Sequence, residues 1–151
     1  MNRATLDCPL GRLLISEKGE KICGVTFYDG ESADLGESRL LTEAKKQLGE
    51  YFAGKRREFD LPLSEEGSDF ALAVRREMLA IPYGETKTYS DIAAAIGKPG
   101  AARATGMACH NNPIAIIVPC HRVIGANASL VGYAGGIEKK EFLLRLEGVI
   151  L

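Results

Sequence analysis

A cysteine and a histidine stand side by side at the end of an apolar segment, and no other part of the sequence is better suited to covalent chemistry. The segment Ile116-Ile117-Val118-Pro119 leads directly into Cys120 and His121. A thiol reacts as its thiolate, and an imidazole that accepts the proton makes the thiolate available near neutral pH. The pattern indicates a nucleophile, although a buried structural cysteine beside a surface histidine fits it as well.

Two more polar residues could support this pair. Glu147, near the end of the chain, could orient His121 by binding its second ring nitrogen. Asn112 could hold a backbone carbonyl or the thiol in place. We therefore take Cys120, His121, Glu147 and Asn112 as candidate catalytic residues.

The other cysteines allow different interpretations. Cys109-His110 and Cys120-His121 together offer the ligand types of a structural zinc site, but adjacent Cys-His pairs lack the usual two-to-four-residue ligand spacing. The chain begins without a secretory signal pattern, so free thiols are expected rather than disulfides. Cys8 and Cys23 are expected to be small buried hydrophobic residues. We expect no metal and no cofactor.

Composition and charge indicate a folded protein with an uneven charge distribution. The 151 residues are 46% hydrophobic and 26% charged, and no apolar run approaches the length of a membrane span. The formal net charge is −1, but residues 1–66 carry −3 and residues 67–151 carry +2. A locally positive surface can attract phosphates. We expect a monomer in the cytoplasm, associated with the nucleoid, or in the nucleus of a eukaryote.

The elements that must position these residues fall into two predicted lobes. In residues 1–66, strands at 11–16 and 22–27 form a hairpin, and three- and four-residue apolar steps predict a helix over 41–53. In residues 67–151, a helix begins at Ser68 or Asp69 and is expected to turn an apolar face that includes Leu79 inward. Short helices over 91–96, capped by Ser90 or Thr88, and over 101–110 flank a Gly/Pro turn. A helix over 138–147 follows, with Phe142, Leu143 and Leu146 expected to face inward. The expected class is α+β: a small antiparallel-sheet N-terminal α/β lobe and a helical C-terminal lobe containing a helix-turn-helix.

Several motifs occur together and in order along nearly the whole chain. They are Ile81-Pro82-Tyr83-Gly84-Glu85-Thr86, Thr88-Tyr89-Ser90-Asp91-Ile92-Ala93, Ala101-Ala102-Arg103-Ala104, Asn112-Pro113, Pro119-Cys120-His121-Arg122-Val123, Gly132-Tyr133-Ala134-Gly135-Gly136 and Leu143-Leu144-Arg145-Leu146-Glu147-Gly148. In this order and spacing the sequence resembles the O6-alkylguanine-DNA alkyltransferase family. The resemblance implies repair of duplex DNA by irreversible transfer of an alkyl group from O6 of guanine to Cys120, once per molecule. O4 of thymine is a second candidate site of attack.

The resemblance also assigns roles at the reacting centre. It implies that His121 deprotonates Cys120 through a bridging water, while Glu147 orients His121 and Asn112 braces the site. Tyr89 corresponds to the family's tyrosine near the flipped base and its phosphate, where the hydroxyl could donate a proton to the departing guanine. The implied base pocket comprises Pro113, Val123, Tyr133 and Ala134.

For DNA, the resemblance implies a minor-groove helix with an arginine finger. Arg103 would fill the gap left in the base stack by the flipped nucleotide. Small residues on the same helix would allow close approach to the groove: Ala101, Ala102, Ala104 and Gly106.

The sequence departs from the family pattern at two places. Cys109-His110-Asn111 stands where small or basic residues are expected, and Arg75 replaces a tryptophan of many bacterial members. Two rival functions stay open: a protein that flags alkylated bases without repairing them, and a cysteine hydrolase. The presence of Cys120 argues against the first, and no oxyanion hole is evident for the second.

Overall fold

The N-terminal residues form an antiparallel sheet because their apolar positions alternate. The computed structural model describes residues 1–32, 34–36 and 38–149. Its strands are β1 (Asn2–Cys8), β2 (Gly11–Lys18), β3 (Lys21–Phe27) and the short β4 (Asp34–Leu35), in the sheet order β3-β2-β1-β4. Leu13 and Ile15 on β2 are fully buried, and their neighbours in sequence are more exposed, which is the two-residue period of a half-buried strand.

The hairpin between β2 and β3 closes through a two-residue turn. Gly19 and Glu20 both have a φ of 60°, the left-handed conformation that matches the twist of the flanking strands. The predicted hairpin is therefore confirmed, and β1 precedes it as a strand that the pattern did not reveal.

Helix α1 (Arg39–Phe52) packs on this sheet. The Ser38 hydroxyl accepts a hydrogen bond from the Leu41 amide, so the helix begins two residues before the predicted start. Its buried residues recur on one face: Leu41, Ala44, Gln47, Leu48 and Tyr51.

The C-terminal residues are mainly helical. The helices are α2 (Asp69–Leu79), α3 (Tyr89–Ala95), α4 (Ala102–His110) and α5 (Ile137–Leu146), with a parallel pair of two-residue strands, β5 (Lys87–Thr88) and β6 (Val123–Ile124). Thr88 and Asp91 form a reciprocal capping box at the start of α3. Helices α3 and α4 pack on each other and on α2, as a helix-turn-helix requires, and the predicted α+β class is confirmed.

The fold divides into two compact units, one comprising residues 1–64 and 113–117 and the other residues 65–112 and 118–151. Segment 113–117 joins the first unit because it hydrogen-bonds to β3: the Val25 amide donates to the Pro113 carbonyl, and the Ala115 amide donates to the Val25 carbonyl. These units differ from the predicted ranges 1–66 and 67–151 at this segment and at residues 65 and 66. None of the helices in the described ranges is both long and apolar enough to cross a membrane.

The structure corrects three expectations about burial. Phe142 on α5 is 37% exposed and Leu79 on α2 is 46% exposed, although both were expected to face inward. On α5 the inward face is instead Lys140, Leu143, Leu144 and Glu147, an i, i+3, i+4, i+7 set that contains two charged residues. The four cysteines are present as thiols, and Cys8 and Cys23 are only half-buried, not buried as expected.

Candidate active site

Cys120 opens a single turn of 3₁₀ helix, Cys120–Arg122, just after Pro119. The thiol is almost completely buried, with 8% of the residue exposed. Burial raises the pKa of Cys120, and several contacts partly offset this: a hydrogen bond with the Asn112 side chain, the charge of Lys140, and backbone hydrogen bonds at Cys120 and His121. At rest the thiol is therefore protonated, and its activation requires a base.

His121 is held by a buried carboxylate. Its Nε2 atom lies 2.7 Å from Oε2 of Glu147, and both side chains are inaccessible to solvent. Burial lowers the pKa of His121, and Glu147 opposes that shift. The imidazole is therefore neutral at neutral pH, with its proton on Nε2 facing the carboxylate.

The other ring nitrogen of His121 is the free one. Nδ1 is buried and has no hydrogen-bond partner among the described residues. In the tautomer that Glu147 selects, Nδ1 carries a lone pair and can accept a proton. A buried nitrogen of this kind can act as a general base.

Glu147 also binds Arg122. The Nε and Nη2 atoms of Arg122 donate to the two carboxylate oxygens at 2.7 and 3.0 Å, and Nη1 donates to the Ile81 carbonyl at 2.7 Å. The Gly84 amide donates to Glu147 as well, at 3.3 Å. Gly84 has a φ of +82°, and a Cβ there would lie 3.1 Å from the Glu147 carbonyl oxygen, so this close approach favours glycine.

Asn112 connects the thiol to the preceding segment. Its Nδ2 donates to the Val118 carbonyl at 2.9 Å, and its side chain also hydrogen-bonds with Cys120. Cys120, His121, Glu147 and Asn112, which were selected from sequence, thus lie in one connected arrangement.

Lys140 is a residue that the sequence reading missed. It is fully buried, and its Nζ donates to the Val123 carbonyl at 2.6 Å, to the Val131 carbonyl at 2.8 Å and to the Tyr89 hydroxyl at 3.4 Å. Burial lowers the pKa of Lys140 to about 8, while the charges of Cys120 and Cys109 act in the opposite direction. A lysine in an amphipathic helix is expected to face solvent, so only its place in the i, i+3, i+4, i+7 set with Glu147 could have revealed it.

Tyr89 lies at the start of α3 and reaches this lysine. Its hydroxyl donates to the Val131 carbonyl at 3.0 Å, and Lys140 Nζ is 5.7 Å from the centre of its ring. Burial raises the pKa of Tyr89 to about 12. The phenol is therefore neutral and carries a proton, which is committed to Val131 in this structure.

The remaining predicted residues occupy different surroundings. On α4, Arg103 and Ala104 are exposed and Ala102 and Gly106 are half-buried, as is Ala101 at its N-cap. Tyr133 is buried and Ala134 is exposed. Val123 is buried, and its carbonyl already accepts from Lys140. Pro113 belongs to the first compact unit, and its predicted place beside the alkyl group stays a prediction.

The geometry offers no support for the zinc alternative. Across residues 1–32, 34–36 and 38–149, no three His, Cys, Asp or Glu side chains are grouped so that they could hold a metal ion.

Known proteins are similar to this chain over almost its whole length. Residues 69–149 match the family model of the 6-O-methylguanine DNA methyltransferase DNA-binding domain, and residues 1–64 match that of its ribonuclease-like domain. The methylated-DNA–protein-cysteine methyltransferase of Methanosarcina acetivorans is 46% identical over 154 residues, which covers 98% of this chain and 99% of that protein. The constitutive Bacillus subtilis enzyme of the same name is 45% identical, over 96% of this chain and 94% of its own.

A solved structure is also similar. The Mycobacterium tuberculosis OGT in complex with DNA superposes with a TM-score of 0.86 at 47% identity, over 95% of this chain and 90% of that one. Together the two family models cover both parts of the chain, and each of these relatives spans both parts. The chain therefore belongs to the methylated-DNA–protein-cysteine methyltransferase family.

Proposed function

We propose that this protein repairs alkylated duplex DNA by moving the alkyl group from O6 of guanine to Sγ of Cys120. The sulfur–carbon bond forms as the carbon–O6 bond breaks, and guanine leaves with its normal oxygen. The product is a thioether, which has no easy leaving group, so each molecule acts once. The observation that carries the proposal is the buried Cys120 thiol, braced by Asn112, in the same turn as a His121 that Glu147 holds.

His121 supplies the base. Its Nδ1 takes the thiol proton through one bridging water, and the Nε2–H···Glu147 hydrogen bond stabilises the imidazolium that forms. Arg122 keeps Glu147 ionised by occupying both carboxylate oxygens, and Asn112 orients the sulfur. The attack thus starts from a neutral cysteine–histidine pair and needs no preformed thiolate.

Lys140 and Tyr89 assist the reaction in different ways, one by its charge and the other by its proton. The buried ammonium favours negative charge on Cys120 sulfur, as the direction of its effect on the thiol pKa indicates. Tyr89 delivers a proton to the departing guanine when its hydroxyl leaves the Val131 carbonyl. The Val123 and Cys120 carbonyls accept from the guanine amino group; Val123 can do so while bonded to Lys140, because a carbonyl has two lone pairs.

DNA binds to the exposed side of α4. Arg103 enters the stack where the target base has flipped out, and Ala101, Ala102, Ala104 and Gly106 let the helix approach the minor groove. Tyr133 and Ala134 close over the base, with the Ala134 backbone amide offered to O6, and Pro113 lies beside the alkyl group. Residues 67–151 carry this chemistry, and residues 1–66 form a separate domain. The protein acts as a monomer without a cofactor or obligate protein partner, beside the chromosome of its cell.

The decisive test is the mass of the intact protein after incubation with a duplex that contains one O6-methylguanine. We expect a gain of one methyl group, saturating at one per protein and mapping to the Cys120 peptide. Cys120→Ala should bind the lesion and gain nothing, while Cys23→Ala should react like the unmodified protein. Methylation at another residue would overturn the assignment of Cys120. Lesion binding without any mass change would instead identify a protein that flags alkylated bases.

A further inference from the structure

Cys109 is a second buried thiol that the proposed reaction does not use. It lies in the last turn of α4 and is 3% exposed. Gly106, three residues earlier, faces the Tyr89 ring: a Cβ on Gly106 would lie 3.9 Å from Cδ1 of Tyr89. Because residues i and i+3 share a helix face, Cys109 faces the same side of α4 as this contact.

The two thiols belong to one cluster of titratable groups. The charge of Cys120 contributes to raising the pKa of Cys109, after burial, and both cysteines contribute to raising the pKa of Tyr89. Lys140 favours the charged form of either cysteine. The geometry agrees with these effects: Lys140 Nζ donates to the Tyr89 hydroxyl at 3.4 Å, and the Tyr89 ring faces Gly106, one turn before Cys109 on α4.

Asn112 ties the two thiol-bearing segments together. Its amide donates to the Cys109 carbonyl at 3.3 Å, and its side chain hydrogen-bonds with Cys120 and with the Val118 carbonyl. One residue therefore holds the end of α4 and the turn that begins at Cys120.

We propose that Cys109 is a resolving thiol that forms a reversible disulfide with Cys120 when a peroxide reaches the site. Hydrogen peroxide converts the Cys120 thiol to a sulfenic acid and releases one water. Cys109 sulfur then attacks Cys120 sulfur; the sulfur–sulfur bond forms, and the sulfenic hydroxyl leaves with the Cys109 proton as a second water. Two electrons pass from the two thiols to the peroxide.

The surroundings assign the two steps to different cysteines. Burial raises the pKa of both cysteines, but at Cys120 the Asn112 side chain and two backbone hydrogen bonds oppose the rise. His121, in the same turn, can also accept the Cys120 proton, so Cys120 is the thiol that can form the thiolate that peroxide oxidises. Cys109 has a pKa raised to about 12, so it stays a thiol until a sulfenic acid forms beside it. The disulfide blocks alkyl transfer but keeps Cys120 from irreversible oxidation, and a thiol reductant restores it.

The loss and recovery of alkyl transfer rest on the proposed function, in which Cys120 is the alkyl acceptor. The disulfide itself can be detected without DNA. The test uses a full-length chain with Cys8→Ser and Cys23→Ser, so that Cys109 and Cys120 are its only thiols. After brief treatment with hydrogen peroxide and alkylation of the remaining thiols, we expect the intact protein to lose two hydrogen masses. A non-reduced digest should contain the Cys109–Cys120 linked peptide, and dithiothreitol should restore the parent mass.

Adding Cys109→Ser provides the matched comparison. Before oxidation this variant should transfer alkyl groups like its parent. After the same peroxide treatment it should accumulate Cys120 sulfinic acid and recover several-fold less transfer activity with dithiothreitol. Cys109→Ala should behave like Cys109→Ser, which separates loss of the thiol from an effect of serine. Absence of the linked peptide, or equal recovery in parent and variants, would overturn the proposal even if alkyl transfer is normal.

Discussion

The Nε2 atom of His121 lies 2.7 Å from Oε2 of Glu147, and neither side chain is exposed to solvent. The same carboxylate accepts two hydrogen bonds from the Arg122 guanidinium. One buried carboxylate therefore orients the proposed base and neutralises a buried cation. Its replacement should affect both chemistry and folding.

Glu147→Gln keeps the shape of the side chain and removes its charge. Because the change leaves the Arg122 guanidinium buried without a counter-charge, we expect a loss of about 3–5 kcal/mol in the free energy of unfolding. Alkyl transfer should fall sharply at temperatures where the variant is still folded. Urea denaturation and single-turnover kinetics measure the two effects. Glu141→Gln removes an exposed pair with Arg145 and should cost no more than about 1 kcal/mol; equal losses in the two variants would contradict this account.

Acid should destabilise the protein through His121. Burial holds its pKa below the ordinary 6.5, so the unfolded chain binds more protons than the folded protein once the pH falls below about that value. The stability contributed by neutral His121 is complete above pH 6.5 and is lost as the pH falls towards the lower pKa of the folded state. Unfolding free energies measured across this range should show the loss in the unmodified protein but not in His121→Gln. The exposed His110 offers the control, because His110→Gln should leave the acid-induced loss intact.

Lys140→Met removes a buried positive charge near Cys120 and replaces lysine with another unbranched side chain, which is apolar. We expect transfer to slow by about tenfold at pH 7, the equivalent of one pKa unit at the thiol. Because the pKa of Lys140 is about 8, the unmodified protein loses this charge above that pH, and the two rates should converge there. Single-turnover rates of alkyl transfer, measured for both proteins from pH 7 to pH 9, provide the comparison. Lys139→Met, the neighbouring change, should leave the profile unaltered, and a rate gap that stays constant with pH would argue against an electrostatic role.

Arg103→Ala should separate base flipping from alkyl transfer. Only duplex DNA contains a gap that the guanidinium has to fill, so transfer from duplex O6-methylguanine should fall by about tenfold or more while reaction with free O6-benzylguanine is unchanged. Arg76→Ala, on the exposed last turn of α2, controls for the loss of one positive charge. Equal losses on both substrates would remove the role of an arginine finger.

Thr105→Val should stabilise the helix-turn-helix. Thr105 is fully buried in α4, and its hydroxyl has no hydrogen-bond partner among the described residues. Valine has the same shape and removes the desolvated hydroxyl, so we expect a gain of about 1 kcal/mol. In thermal denaturation this corresponds to roughly 2–4 °C for a chain of this size. Thr86→Val, outside the helices, should give no comparable gain, and a lower midpoint for Thr105→Val would show that the hydroxyl is bonded in solution.

The starts of α2 and α3 and the hairpin were readable from sequence because local chemistry decides them. Ser68 and Thr88 each cap the helix that follows, and the turn at Gly19 connects strands with a two-residue period. The cap of α1 at Ser38 was missed, so that helix begins two residues before its predicted start. The resemblance also places Cys120, His121, Asn112 and Glu147 at one reacting centre. Hydrophobic pattern failed on α5, where Phe142 was assigned to the buried face that Lys140 and Glu147 in fact share.

By itself, the sequence determined the family, the α+β class and the residue types at the reacting centre, because these depend on local pattern and motif order. Only the tertiary structure decided which charged side chains are buried. A buried charge is tolerated when distant groups satisfy it, as the Val123 and Val131 carbonyls do for Lys140, and Arg122 does for Glu147. The protonation state of His121 and the place of Cys109 in the thiol cluster have the same origin, since both depend on groups that meet only when the chain has folded.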